Sequence, residues 1–221
     1  MKQARAAVLT RYNEPLEFRS FPLPDRPGAG EAIVRVEMAG ICGTDVHLWK
    51  GELPVPLPVI LGHESVGVVE AMGEGLTKDW RGQPLAVGDR VTWASSLVCG
   101  ECFSCRVKRQ PTRCVARKAY GISYCCDEAP HLRGGYAEQI LLRAGSSIFR
   151  LPETLVIANI AKACCIFQAF VFAIENGGVN CASDHKLERR LSDLLHGGND
   201  ERKIFVRCRT TDRQNKRLVA D

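Results

Sequence analysis

Four cysteines fall in the pattern C-x2-C-x2-C-x8-C, at Cys99, Cys102, Cys105 and Cys114. The short spacers let neighbouring thiolates face one centre, and the longer one returns the chain to supply a fourth corner. That is the donor set of a closed tetrahedral zinc site. Such a site would stabilise its lobe by about 10 kcal/mol, because metal binding and local folding are coupled. An iron–sulfur cluster also takes four thiolates, but the bacterial ferredoxin run has its fourth cysteine three residues on with proline behind it. Here the last spacer is eight and Val115 follows, which favours zinc. A different set lies upstream. Cys42 stands in Gly40-Ile41-Cys42-Gly43-Thr44-Asp45-Val46-His47, and Gly62-His63-Glu64 follows. A thiolate, an imidazole and a carboxylate around Zn2+ leave one position exchangeable, as catalytic zinc requires. The metal can then lower the pKa of a bound hydroxyl toward neutrality. Asp45 can accept the spare N–H of His63 and fix its tautomer. By spacing alone, His63 is equally compatible with a hydrogen-bonded core histidine.

Short strands are needed to position these groups. Ala32 to Met38 puts Val34, Val36 and Met38 on one face, the alternation of a half-buried strand. Residues 67–71 and 90–93 predict further short strands, with Gly73, Gly75 and Gly88 as punctuation. Gly134-Gly135-Tyr136-Ala137-Glu138 opens a strand from Gln139 to Arg143, and residues 147–151 form another. Many short strands divided by glycine and proline predict a mainly β, partly open barrel with some helix, an α+β domain carrying a zinc lobe. After Pro152 the texture changes. Ile157, Ile160, Ala161, Cys164, Phe167, Phe170, Val171 and Ile174 recur at helical spacing up to Gly177-Gly178. This helix is apolar on most sides and is expected to be buried. From Asn180 the chain is rich in charge, with a short helix expected around Leu187 to Leu195 and a brief strand at Ile204, Val206 and Cys208.

The 221 residues are 45% hydrophobic and 25% charged, ordinary for a globular protein. A net charge of +5 without long Lys/Arg runs argues against a nucleic-acid binder. Arg11 interrupts the N-terminus before a signal peptide's apolar core could form. No apolar run approaches the roughly 20 residues of a membrane span. The expectation is a cytoplasmic protein. Its 11 cysteines, an odd number bunched at C-x2-C spacing, then read as metal ligands and free thiols. Cys125, Cys126, Cys181 and Cys208 are candidates for free core thiols.

The segment Gly62-His63-Glu64-Ser65-Val66-Gly67-Val68-Val69-Glu70-Ala71-Met72-Gly73 resembles the signature of the zinc-containing alcohol dehydrogenases, members of the medium-chain dehydrogenase/reductase superfamily. It departs only at the last position of the signature, where Leu76 replaces a smaller or β-branched residue. Gly40 to Asp45, Gly88-Asp89-Arg90-Val91 and Gly134 to Glu138 are similar to that family's segments too, and the resemblance covers about residues 5–179. It implies a GroES-like catalytic domain over residues 1–152, with a structural zinc lobe at 95–116 and an interdomain helix at 153–179. It implies one catalytic Zn2+ held by Cys42, His63 and Glu64, and one structural Zn2+ on the four-cysteine lobe. Cys165 falls where many members place a further ligand. Cys164 is adjacent, and both can equally be helix core. Thr44 and His47 match the family's proton relay. The implied reaction is hydride transfer from a zinc-bound alcohol or polyol, a small molecule, to NAD(P). Ser95, Ser96 and Trp49 are candidates to approach the substrate.

The chain departs from the family after Val179. No G-x-G-x-x-G turn follows, so residues 180–221 are expected to be a non-homologous charged tail in place of the Rossmann domain. No NAD(P)-contacting residue can therefore be assigned. The family is usually homo-oligomeric, and the oligomerisation surface is expected to be lost with the missing half. The competing reading is a truncated, catalytically inactive zinc-binding protein or a partner-binding module.

Overall fold

A computed structural model describes residues 2–152 and 206–208. The apolar helix expected at 153–179, with Cys164 and Cys165, lies outside the described residues, as does most of the expected tail. Strands dominate what is described. Strand β1 (Gln3–Leu9) pairs antiparallel with β2 (Glu17–Pro22) on one side and with β4 (Val59–Ile60) on the other. The larger sheet is built on β3 (Ala32–Ile41). Strands β5 (Ser65–Met72), β6 (Arg90–Trp93) and β10 (Ile148–Arg150) follow one another outward from it, all antiparallel. On the other flank of β3, β9 (Gln139–Leu142) pairs antiparallel with residues 32–35, and β11 (Val206–Cys208) runs parallel to Ala39–Ile41. A bridge between Ala6 and Ala137 joins the two sheets, which wrap into a partly open barrel. Strands β7 (Ser96–Leu97) and β8 (Lys118–Ala119) form a small hairpin at the base of the cysteine-rich lobe.

The strands expected at 67–71, 90–93, 139–143 and 147–151 are present within a residue or two. Strand β3 is longer than its alternation suggests and runs to Ile41, the neighbour of Cys42. Register shifts at Ile33/Val34 and Val36/Met38 let it bend, so Val34 is fully buried while Val36 and Met38 are only half covered. Bulges of this kind re-aim a strand, here toward the metal-ligand segment. Strand β5 passes close over β3. A Cβ at Gly67 would stand 2.2 Å from the Arg35 carbonyl oxygen, so no larger residue fits there.

Two apolar clusters fill the interior. One joins β1, β4 and the end of β3 to Val46, Leu48 and Tyr136; the other joins Val34, Val69, Val91, Trp93, Ile140 and Leu142 to Tyr120. Leu48, about 2 kcal/mol of buried side chain, anchors α1 (Gly43–Lys50), the longest helix among the described residues. The helix starts at Cys42, whose extended backbone and thiol take the capping role, and stops at Gly51 in the left-handed conformation with φ 76°. No helix among the described residues is long and apolar enough to cross a membrane.

Asp79 ties the β5–β6 connection to β10. This buried carboxylate accepts the backbone N–H groups of Arg81 and Gln83, both at 2.9 Å, and of Arg150 at 3.2 Å. Burial alone would raise its pKa, but these donors outweigh burial and hold it below its ordinary 3.8. A depressed carboxyl pKa stabilises the fold above the unfolded value, and that contribution is lost as pH falls through the folded one. Asp79→Asn should therefore cost about 1–3 kcal/mol near neutral pH. In urea titrations of variant and wild type, the difference should shrink as pH drops below 3.8.

Candidate metal centres

Strand β3 and helix α1 meet at Cys42, and β5 begins just after His63 and Glu64. This junction brings the Cys42 sulfur to 2.9 Å from His63 Nε2, although the residues are 21 apart in sequence. The donor atoms of Cys42, His63 and Glu64 all lie within 4.8 Å of one another, and His63 and Glu64 are buried. A backbone bond from Gly40 N–H to the Glu64 carbonyl, 2.7 Å, locks the two segments together.

Asp45 organises the junction. Its Oδ2 accepts the Cys42 N–H at 3.0 Å, and its Oδ1 accepts the Gly62 N–H at 3.3 Å. The same Oδ1 lies 3.3 Å from His63 Nδ1, close enough for ion pairing but too oblique for a formed hydrogen bond, so Nδ1 has no aligned partner. The ring is thus oriented with Nδ1 toward the carboxylate and Nε2 toward the sulfur. Burial by itself would lower the His63 pKa. The Asp45 charge and the contact with Cys42 outweigh it and raise the imidazole from 6.5 to about 11. Without a cation the site therefore holds a proton, which metal binding must displace.

Gly62 makes this approach possible. Its φ of 89° lies in the left-handed region, and a Cβ there would stand 2.5 Å from the Tyr136 ring. Its carbonyl accepts the Gly135 N–H at 2.7 Å, so the segment before β9 buttresses the histidine from behind. Gly134–Glu138 opens a strand and matches a family segment in the sequence, but this support shows only in the fold; its one sequence signal is a tyrosine directly after two glycines.

Thr44 is half-buried in the first turn of α1, and its backbone N–H donates to the Cys42 sulfur at 3.3 Å. His47 is one turn further along and exposed, its Nδ1 held by the Glu52 carboxylate. That bond is the leading reason the Glu52 carboxyl is held below its usual range. Trp49 spends its indole N–H on the Glu14 carbonyl at 2.7 Å, tying the β1–β2 connection to the helix. Ser95 is buried and Ser96 opens β7. Cys165 lies outside the described residues.

The second cluster is the lobe. The sulfurs of Cys99, Cys102, Cys105 and Cys114 lie within 4.8 Å of one another, with the Cys102–Cys105 and Cys99–Cys114 pairs at 3.5 Å. Tetrahedral Zn–S bonds of about 2.3 Å put sulfurs about 3.8 Å apart, so the nest is close to size. Backbone N–H groups face the sulfurs: Cys102 donates to Cys99 at 3.3 Å, and Cys99 to Cys114 at 3.4 Å. Chiefly through the Cys105 backbone N–H, the Cys102 thiol is pulled down to about 6. Burial first, then the adjoining sulfurs, push Cys105 up to about 12. Four sulfurs so close cannot all ionise without a cation between them, and a soft divalent ion fits that demand. Tyr120, fully buried, anchors the lobe's exit, its hydroxyl 2.7 Å from both Ser146 Oγ and the Arg143 N–H. Of the remaining thiols, Cys126 is buried and Cys125 half-buried.

Comparison with known proteins agrees with this layout. The model of the alcohol dehydrogenase GroES-like domain matches residues 28–153. The 5-exo-hydroxycamphor dehydrogenase of Pseudomonas putida is 38% identical over 155 residues, which are 69% of this chain and 40% of that protein. An alcohol dehydrogenase structure from Thermotoga maritima superposes with a TM-score of 0.73 at 37% identity, covering 81% of this chain and 49% of the other. Acetophenone reductase from Geotrichum candidum, solved in complex with NAD, gives a TM-score of 0.59 at 27% identity, over 82% of this chain and 49% of that one. The chain thus spans less than half the length of these relatives.

Gly62→Ala tests the local geometry. Forcing a Cβ into the left-handed region against Tyr136 should cost about 1–3 kcal/mol. It should also lower metal uptake at the Cys42 site while the four-cysteine lobe still fills, as read by zinc stoichiometry against a colorimetric chelator.

Proposed function

The chain belongs to the zinc-containing alcohol dehydrogenase family, and from that premise we propose that it forms the metal-holding catalytic half of an NAD(P)-dependent oxidoreductase acting on a small alcohol or polyol. The observation that carries this reading is the convergence of Cys42 Sγ, His63 Nε2 and the Glu64 carboxylate within 4.8 Å, beside a helix that presents Thr44 and His47. In the proposed reaction the carbinol C–H leaves as hydride to NAD(P)+, the hydroxyl proton goes to solvent, and a carbonyl compound results. Cys42, His63 and Glu64 would hold Zn2+, which supplies the Lewis acidity that makes a hydroxyl proton easy to lose.

The chain's own residues supply the remaining parts. Asp45 keeps Nε2 of His63 aimed at the ligand position. Thr44, half-buried, can accept a substrate's hydroxyl proton as it passes its own hydroxyl proton outward. His47, three residues on along the same helix face, is exposed, and with Nδ1 engaged by Glu52 its Nε2 can exchange that proton with water. The gradient from buried hydroxyl to solvated imidazole is what a proton exit needs. The four-cysteine lobe takes a structural Zn2+ and no part in the chemistry, because four protein donors leave nothing exchangeable.

The test is alcohol-dependent reduction of NAD(P)+ by the zinc-loaded chain joined to a relative's nucleotide-binding half. Cys42→Ser should remove turnover and one metal equivalent while the lobe keeps its own. His47→Gln should lower the rate about 10²-fold or more, as loss of a proton-transfer group does. Undiminished turnover in Cys42→Ser would sink the reading.

A further inference from the structure

One buried side chain touches every segment that carries the open site. The Tyr136 ring lies under Gly62, the residue before His63. Its hydroxyl donates to the Gly40 carbonyl at 3.3 Å, two residues before Cys42. Its own backbone is pinned on both sides, with N–H to the Leu61 carbonyl at 3.0 Å and carbonyl to the Ala7 N–H at 2.8 Å. The side chain is 3% exposed, so water cannot replace what it supplies.

We propose that Tyr136 is a positioning residue for the open metal site: its O–H holds the Gly40 carbonyl while its ring backs Gly62, and together these contacts set Cys42 and His63 at the separation a metal requires. This rests on the proposed metal-holding function of Cys42, His63 and Glu64. The chemistry of the hydroxyl suits the role. Burial, and then the charges of Asp45, Cys42 and Glu64, keep its pKa well above 10, so it remains a donor wherever the protein is folded. Outer hydrogen bonds of this kind commonly carry a 10–100-fold share of metal affinity. A phenylalanine would fill the same ring space under Gly62 but leave the Gly40 carbonyl without the Tyr136 donor. Only the hydroxyl distinguishes positioning from packing.

The experiment titrates Zn2+ into the full chain against a competing chelator, for wild type and Tyr136→Phe. Wild type should bind two equivalents, the tighter at the four-cysteine lobe. Tyr136→Phe should keep the lobe equivalent and bind the second about tenfold more weakly. An unchanged second equivalent in Tyr136→Phe would overturn the assignment while leaving the metal site standing. A wild-type chain that binds only one equivalent would overturn the metal-holding reading and the assignment with it. A measurement independent of any substitution is the 19F resonance of 3-fluorotyrosine incorporated at position 136. It should move with the second equivalent and not the first, and a resonance indifferent to the second would also overturn the proposal.

Discussion

A carboxylate taken out of water has to be met by donors, and the donors available to Asp45 define the centre of this protein. They are the Cys42 N–H and the Gly62 N–H, with the His63 ring at ion-pair distance, drawn from two segments that sequence keeps well apart. Because Asp45 is 3% exposed, none of these can be traded for solvent without a cost of several kcal/mol. Satisfying that one group therefore fixes where helix α1 starts, where β5 starts and how far the sulfur stands from the imidazole. The bends in β3, the left-handed Gly62 and the packing of Leu48 and Tyr136 are consistent with that demand.

The two clusters differ in how they are made. The lobe is local: its four sulfurs come from one short stretch, and the N–H groups that face them belong to the same stretch. It joins the barrel through the β7–β8 hairpin and Tyr120, so its geometry depends little on the rest of the fold. The open cluster is non-local. Its donors are held by strand pairing, a helix cap and the segment around Tyr136. A local closed nest is suited to stabilising structure, whereas a non-local cluster leaves one side of its centre facing other parts of the molecule. That division matches the chemistry assigned to each under the proposed function.

Much of the barrel was legible from alternation and glycine punctuation, as β5, β6, β9 and β10 demonstrate. Strand β1 was not, because Ala4, Ala6 and Ala7 carry little β propensity and are buried nearly continuously rather than alternately. Strand β2 lies at a sheet edge with Phe21 its only buried residue, so it leaves almost no pattern. Helix α1 escaped notice for a different reason. Its N-cap is a cysteine, outside the usual Ser, Thr, Asp and Asn set, with Gly40 and Gly43 on either side. The side chain that starts the helix is also a candidate ligand, and only one of those roles shows in a spacing argument.

The sequence by itself determined the donor types, the self-contained character of the Cys99–Cys114 nest and the family, since each depends on residue identity at short range or on a run of matched positions. It also marked Gly62 and Gly67, without saying what they must avoid. Tertiary structure alone decided that Cys42 and His63 face each other at 2.9 Å. It decided as well that Asp45 serves two backbone segments at once and that the Tyr136 hydroxyl reaches the Gly40 carbonyl. The physical reason is separation: spacing can encode contacts only across a turn or so of chain. Groups brought together by paired strands are set by register, bulges and buried hydrogen bonds, and those exist only once the barrel has formed.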